Sequence, residues 1–208
     1  MIQIKHAVNG NLLRQVEGDS LVGADLSNSK LAGANFLGMD LSGADLSNSD
    51  LRDANFCGVK MDGANLKSCG LGASKFDGAS MSKVNLTDAK FVGSSFRDAT
   101  MSHSILRYAK LGNCDFTGAD LSGADFTMAE MRSNNLNNAN LSSADLRGAD
   151  LTAANLTGAN LTNSNMSNAK LADAQMARVK TDGAIGPHGQ RVPIRGAKVG
   201  KPWWKFWG

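Results

Sequence analysis

The sequence predicts an all-β solenoid whose coils each contain four five-residue units. Counting in fives from Leu21, every position up to Met176 is Leu, Phe or Met, which makes 32 consecutive matches. Five of the seven phenylalanines in this series are spaced by 20 residues. These are Phe36, Phe56, Phe76, Phe96 and Phe116.

A period of five excludes a single helix or strand. Five residues rotate an α-helix by about 500°, so successive members of the series would lie about 140° apart. In a strand, an odd step places successive side chains on opposite faces. The apolar side chains can share one interior only if the chain turns once in every five residues. Regular turns close the chain into coils, and stacked coils form a solenoid.

The phenylalanine spacing predicts the shape of each coil. Twenty residues are four units, so each coil is square, and residues 21–180 form about eight coils. Coils that pair like strands stack at about 4.8 Å. We therefore expect the five phenylalanines to stack as a structural ladder on one face of the core.

A second series lies two residues before each large apolar residue. From Ala24 to Ala174, 19 of the 31 positions are Ala, six are Ser and two are Cys. We expect these small side chains to point inward and the other three positions of each unit to face solvent. The exceptions are Met39, Val59, Val84 and Asn134.

Several stretches carry a recognisable motif. The segments GADLSGADF (118–126), NANLSSADLRGADL (138–151) and GANLTNSN (158–165) resemble the A-(D/N)-L-x-x motif of the pentapeptide-repeat family. The resemblance covers residues 21 to about 180. It implies a right-handed quadrilateral β-helix. It also implies that some members mimic DNA and bind DNA gyrase, which protects gyrase from quinolones.

The two ends differ from the repeat. Asn9-Gly10 between apolar stretches favours a hairpin, so residues 1–20 are predicted to cap the first coil. Residues 181–208 contain all three prolines and are predicted to be a basic tail. The tail could cap the last coil or be disordered, dimerise with a second copy, contact a partner or bind a membrane surface. Its candidate contact residues are Trp203, Trp204, Phe206 and Trp207.

No catalytic, cofactor-binding or metal-binding residue is predicted, and an enzyme is not expected. Cys69 and Cys114 occupy inward positions, whereas Cys57 should face outward. The histidines His6, His103 and His188 are far apart in sequence. The first ten residues, MIQIKHAVNG, lack the apolar run of a signal peptide, and no stretch is long enough to span a membrane. We therefore expect a bacterial, cytoplasmic protein.

The charge distribution bears on DNA mimicry. Residues 21–180 contain 15 Lys/Arg and 16 Asp/Glu, a net charge of −1, whereas residues 181–208 contain five and one, a net charge of +4. A DNA mimic should carry a strongly acidic surface, so gyrase binding stays an alternative rather than the main prediction. If it holds, the acidic face is the column of Asp25, Asp45, Asp125 and Asp145.

One stretch, MSHSILRYAKL (101–111), departs from the small polar surface of the repeat. Ile105, Tyr108 and Met128 are predicted to form an exposed apolar patch, because Met128 lies 20 residues after Tyr108. A basic rim is expected around it. Its members, with one histidine, are Lys83, Lys90, His103, Arg107 and Lys110.

The function predicted from these features is a rod-shaped, non-enzymatic scaffold that binds another protein. No direct nucleic-acid binding is expected. The alternatives are a gyrase-binding DNA mimic and peripheral membrane association through the Trp/Lys tail. The apolar patch may equally be a tolerated set of surface substitutions.

Overall fold

The computed structural model of the chain describes residues 1–192, and these residues form a β-helix that contains no α-helix. Three strands extend beyond single bridges: β1 (Ile2–His6), β2 (Leu12–Val16) and β3 (Ala34–Asn35). No segment within this range could cross a membrane as a helix. The predicted tail contacts Trp203, Trp204, Phe206 and Trp207 lie outside the described residues.

Each five-residue unit ends in a tight turn. In the first unit, the N–H of Ala24 donates to the carbonyl of Leu21 at 3.1 Å. The residue two positions after each large apolar residue has a positive φ, from Gly23 at 67° to Gly183 at 71°. A single positive φ at the third residue is the geometry of a type II turn, which favours Gly and Asn. This preference explains the frequent Gly and Asn at that position.

Parallel bridges join residues that lie 20 positions apart, from Asp25–Asp45 to Asn165–Ile185. Between coils, the N–H of Leu26 donates to the carbonyl of Asp45 at 2.7 Å, and the N–H of Asp45 donates to the carbonyl of Ala24 at 2.9 Å. The same pattern repeats along the rod. Every coil is therefore hydrogen-bonded to the coils before and after it through its backbone.

The core is a single column along the axis. The large apolar residues from Leu21 to Met166 are all buried. Rings 20 residues apart are nearly parallel, with centroids 4.6–4.8 Å apart and interplanar angles of 2–8°. The rings that stack in this way are Phe36, Phe56, Phe76, Phe96 and Phe116.

The N-terminal end is closed by the hairpin of β1 and β2. Strand β1 pairs antiparallel with β2 on one side and with β3 of the first coil on the other. Ile4 is completely buried, and Arg14 donates to the carbonyl of Asp25 at 3.1 Å. The hairpin thus covers the first coil with both apolar and polar contacts.

At the C-terminal end, the coil ladder continues beyond the predicted boundary at residue 180. Asn165 is bridged to Ile185, Gly183 has the positive φ of a repeat turn, and Ala184 is completely buried. The predicted tail boundary was therefore too early. It was missed because Thr181 replaces the large apolar residue of its unit, while the backbone pattern persists.

Candidate functional site

Tyr108 and Met128 form an exposed apolar pair at one corner of the rod. Both occupy the turn position with positive φ, at 58° and 60°, in consecutive coils. Each is 55% exposed. Because equivalent positions in adjacent coils are separated by about one strand spacing, the two side chains are neighbours along the rod.

The pair continues onto a glycine. A Cβ atom placed on Gly148 would lie only 2.4 Å from Sδ of Met128, so the Met128 side chain lies directly over Gly148. His103 covers Gly123 in the same way, with Nδ1 at 2.6 Å from such a Cβ. The apolar surface therefore extends as a strip from Tyr108 over Met128 to Gly148. A glycine 20 residues after a large turn residue is a signal that the sequence analysis missed.

Ile105 lies on the adjacent flat face and interrupts a column of Asp and Asn. Its neighbours in the bridge ladder are Asn85 and Asp125. The side chain of Asn85 accepts the N–H of Thr87 at 3.1 Å, and that of Asp125 accepts the N–H of Thr127 at 3.0 Å. Ile105 cannot accept such a bond. Its side chain is 40% exposed, so it replaces a polar turn contact with apolar surface.

The basic rim predicted around the patch is largely neutralised. Nε of Arg107 lies 2.9 Å from Oδ2 of Asp125, and Nζ of Lys110 lies 3.8 Å from Oε1 of Glu130. Lys83 is exposed and Lys90 is half-buried. The sequence analysis was wrong about a uniformly basic rim, because the acidic partners lie in the next coil, 18 and 20 residues along the chain.

A groove of about 450 Å³ begins beside Met128. Nε of Arg132 donates to Oδ2 of Asp150 at 2.7 Å, and Nζ of Lys170 lies 3.9 Å from the same oxygen. Burial alone would raise the pKa of Asp150, but hydrogen bonds from Thr152 and Arg132 outweigh burial and hold its pKa below the ordinary value. The groove is lined by Met128, Ala129, Glu130, Arg132, Gly148, Asp150 and Lys170.

The other candidate reactive groups are dispersed or buried. Burial raises the pKa of Cys69 to about 11 and that of Cys114 to about 12, so both thiols stay protonated near neutral pH. Cys57 is half-buried. Residues 1–192 contain no cluster of His, Cys, Asp and Glu that could hold a metal ion. His6 covers Gly33 at the N-terminal cap and His188 is exposed near the other end, so neither joins His103.

The proposed acidic column is also interrupted. Besides Asp125, Asp145 is paired, with Oδ2 at 2.6 Å from Nη2 of Arg147. Oδ1 of Asp45 accepts a hydrogen bond from Nδ2 of Asn65 at 3.1 Å. Asn65, Asn85 and Ile105 separate the two acidic ends of the column. Its negative charge is therefore neither continuous nor unpaired.

Coils of 20 residues with a type II turn in every fifth position define a β-helical repeat protein. The family profile described as pentapeptide repeats matches eight overlapping segments, which together span residues 20–173. The chain belongs to the pentapeptide-repeat family. Comparison with curated protein sequences gives no significant match.

Solved structures of the family resemble the chain. HetL, a pentapeptide repeat protein involved in heterocyst differentiation regulation from the cyanobacterium Nostoc, is 26% identical over 82% of this chain and 92% of its own, with a TM-score of 0.42. Full-length QnrB1, a plasmid-mediated fluoroquinolone resistance protein, is 16% identical over 79% of this chain and 80% of its own, with a TM-score of 0.64. A trypsin-treated QnrB1 variant gives 16%, 88%, 91% and 0.65. The QnrB1 superpositions show a shared fold.

Proposed function

We propose that the chain is a non-enzymatic scaffold that binds another protein through the strip of Tyr108, Met128 and Gly148 and the adjacent Ile105. The rod is a right-handed quadrilateral β-helix of about eight coils, as the family resemblance implies. The observation that carries the proposal is the exposure of three large apolar side chains on a surface of mostly small polar residues.

The arrangement suits recognition by a rigid surface. Backbone hydrogen bonds between coils hold Tyr108 and Met128 in register, so little conformational entropy is lost when a partner binds. Exposed aromatic and methionine side chains are enriched at protein interfaces. The paired charges in the groove beside Met128 can orient the partner, while burial of the apolar strip supplies most of the affinity.

The test is affinity capture from a lysate of the native host. We expect Tyr108→Asp to abolish capture of the partner, because it places a charge on the apolar strip. Asn48→Asp is the matched control, since it makes the same change at the same turn position in an earlier coil. Equal capture by both variants would contradict the proposed site, and unchanged circular dichroism would show that both rods are intact.

Gyrase binding through DNA mimicry is supported less well. The Asp column that would form the acidic face is interrupted by Asn65, Asn85 and Ile105, and its second half is paired with Arg107 and Arg147. The likeness to QnrB1, at 16% identity, concerns the fold alone. We therefore place gyrase second among the candidate partners.

A further inference from the structure

The last part of the coil ladder is covered on only one side. Leu161 and Met166 are completely buried, because the unit beginning at Thr181 continues the ladder above them. Leu171 and Met176 occupy the other two faces of the same coil and are only half-buried. Every earlier residue of this series, from Leu21 on, is buried. One half of the terminal coil therefore leaves apolar surface exposed.

The described chain ends next to this open half. Ile185 is bridged antiparallel to Arg191, and the N–H of Val192 donates to the carbonyl of Ala184 at 2.7 Å. In return, the N–H of Gly183 donates to the carbonyl of Val192 at 3.0 Å. This turn brings Val192 back across the covered half, so the following residues start from the end of the rod.

A cavity of about 290 Å³ lies at the boundary between the two halves. Most of its lining side chains are apolar, and Ala172 is an exposed turn residue at its edge. Such a groove at the end of a β-helix combines apolar surface with the edge of the coil ladder, which an extended segment could cover. The lining residues are Thr152, Ala169, Lys170, Leu171, Ala172 and Pro187.

We propose that the aromatic segment 203–207 of the same chain occupies this groove and seals the terminal coil. Sixteen residues follow Val192, and positions 203, 204, 206 and 207 are all aromatic. Ten residues separate Val192 from Trp203 and span up to about 35 Å when extended, so the segment can reach the groove. A short tether gives an effective concentration of about millimolar, which favours the chain's own segment over a second copy at micromolar protein.

Tryptophan fluorescence tests this inference directly, because all three tryptophans of the chain lie in this segment. In the intact protein we expect an emission that is blue-shifted relative to the denatured chain and independent of protein concentration. Ala172→Lys should move the emission toward that of the denatured chain and increase quenching by acrylamide. The lysine fills the groove edge and repels the segment's two lysines.

Val92→Lys is the matched control. Val92 is exposed and occupies the same position of the coil as Ala172, four coils earlier, so its replacement should leave the emission unchanged. Position 132 of the same column is already Arg, which shows that a long basic side chain fits there. Unchanged circular dichroism would establish that Ala172→Lys leaves the rod folded.

Four results would overturn the inference. The first is a solvent-like emission in the intact protein, and the second is an equal response to Ala172→Lys and Val92→Lys. The third is a blue shift that grows with protein concentration together with a dimeric sedimentation mass, which assigns the groove to a second copy. The fourth is a blue shift that appears only when vesicles containing anionic lipid are added, which assigns the segment to a membrane surface.

Discussion

Asn134 is the one inward-facing position at which the structure leaves a buried polar atom without a hydrogen-bond partner among the described residues. It is only 1% exposed. Its Oδ1 accepts the N–H of Cys114 at 2.8 Å, whereas Nδ2 has no acceptor. A buried donor without a partner costs about 1–3 kcal/mol. We therefore predict that Asn134→Ser stabilises the protein.

Serine satisfies the equivalent position elsewhere on the same face. Oγ of Ser94 accepts the N–H of Ser74 at 3.2 Å and donates to the carbonyl of Leu71 at 2.7 Å. By the same register, a serine at position 134 would accept from Cys114 and donate to the carbonyl of Leu111. Both groups would then be satisfied.

The volume lost opposes this gain. Replacing Asn by Ser removes roughly 20 Å³ of side chain, and at about 24 cal/mol per Å³ of cavity this costs about 0.5 kcal/mol. Removal of the unpaired donor outweighs that cost, so the free energy of unfolding should rise by about 1 kcal/mol. For a chain of this size, such a change raises Tm by about 2–4 °C.

Urea denaturation followed by circular dichroism measures the change. Asn134→Ala is the informative companion, because it removes the unpaired donor but also removes the acceptor for Cys114. We expect it to be less stable than Asn134→Ser by about 0.5–1.5 kcal/mol, the net contribution of a hydrogen bond. A lower unfolding free energy for Asn134→Ser than for the native protein would refute the reasoning.

Three further predictions concern the core, acid stability and gyrase. Phe76→Ala should lower the free energy of unfolding by about 3–5 kcal/mol, because it removes a buried ring stacked on both sides, and a loss below about 1 kcal/mol would contradict this. Since the folded-state pKa of Asp150 is lowered, its stabilisation is present above the unfolded pKa of about 4 and is lost as the pH falls below it. Acid titration of the urea midpoint should therefore show a smaller loss for Asp150→Asn than for the native protein. In a supercoiling assay, the protein at micromolar concentration should leave gyrase sensitive to quinolones, and clear protection would show that one local acidic face suffices.

The repeat could be predicted from the sequence because its constraints are local and periodic. A large apolar residue such as Leu26, a small residue such as Ala24 and a turn residue such as Gly23 each recur every five positions. Packing and a positive φ at the turn require these residue types in every unit. The phenylalanine spacing added the one piece of long-range information, the number of residues in a coil.

The charged surface was predicted less well, because its contacts join different coils. Arg97, Arg107 and Arg132 each pair with an Asp exactly one coil minus two residues later, at positions 115, 125 and 150. Sequence counting placed the positive charges around Ile105 but did not consider partners 18 residues away. The spacing follows from the geometry: residue i of one turn faces the strand position i+18 of the next coil.

This cross-coil pairing changes how the electrostatics of such a rod should be judged. A net charge of −1 over residues 21–180 is compatible either with scattered charges or with separate acidic and basic faces. The ion pairs at Asp125 and Asp145 show that arginines from the neighbouring turn column neutralise this face locally. Exposed ion pairs of this kind contribute little stability, but they remove unpaired charge from the surface. The apolar strip beside them is therefore the feature that a protein partner can distinguish along this part of the rod.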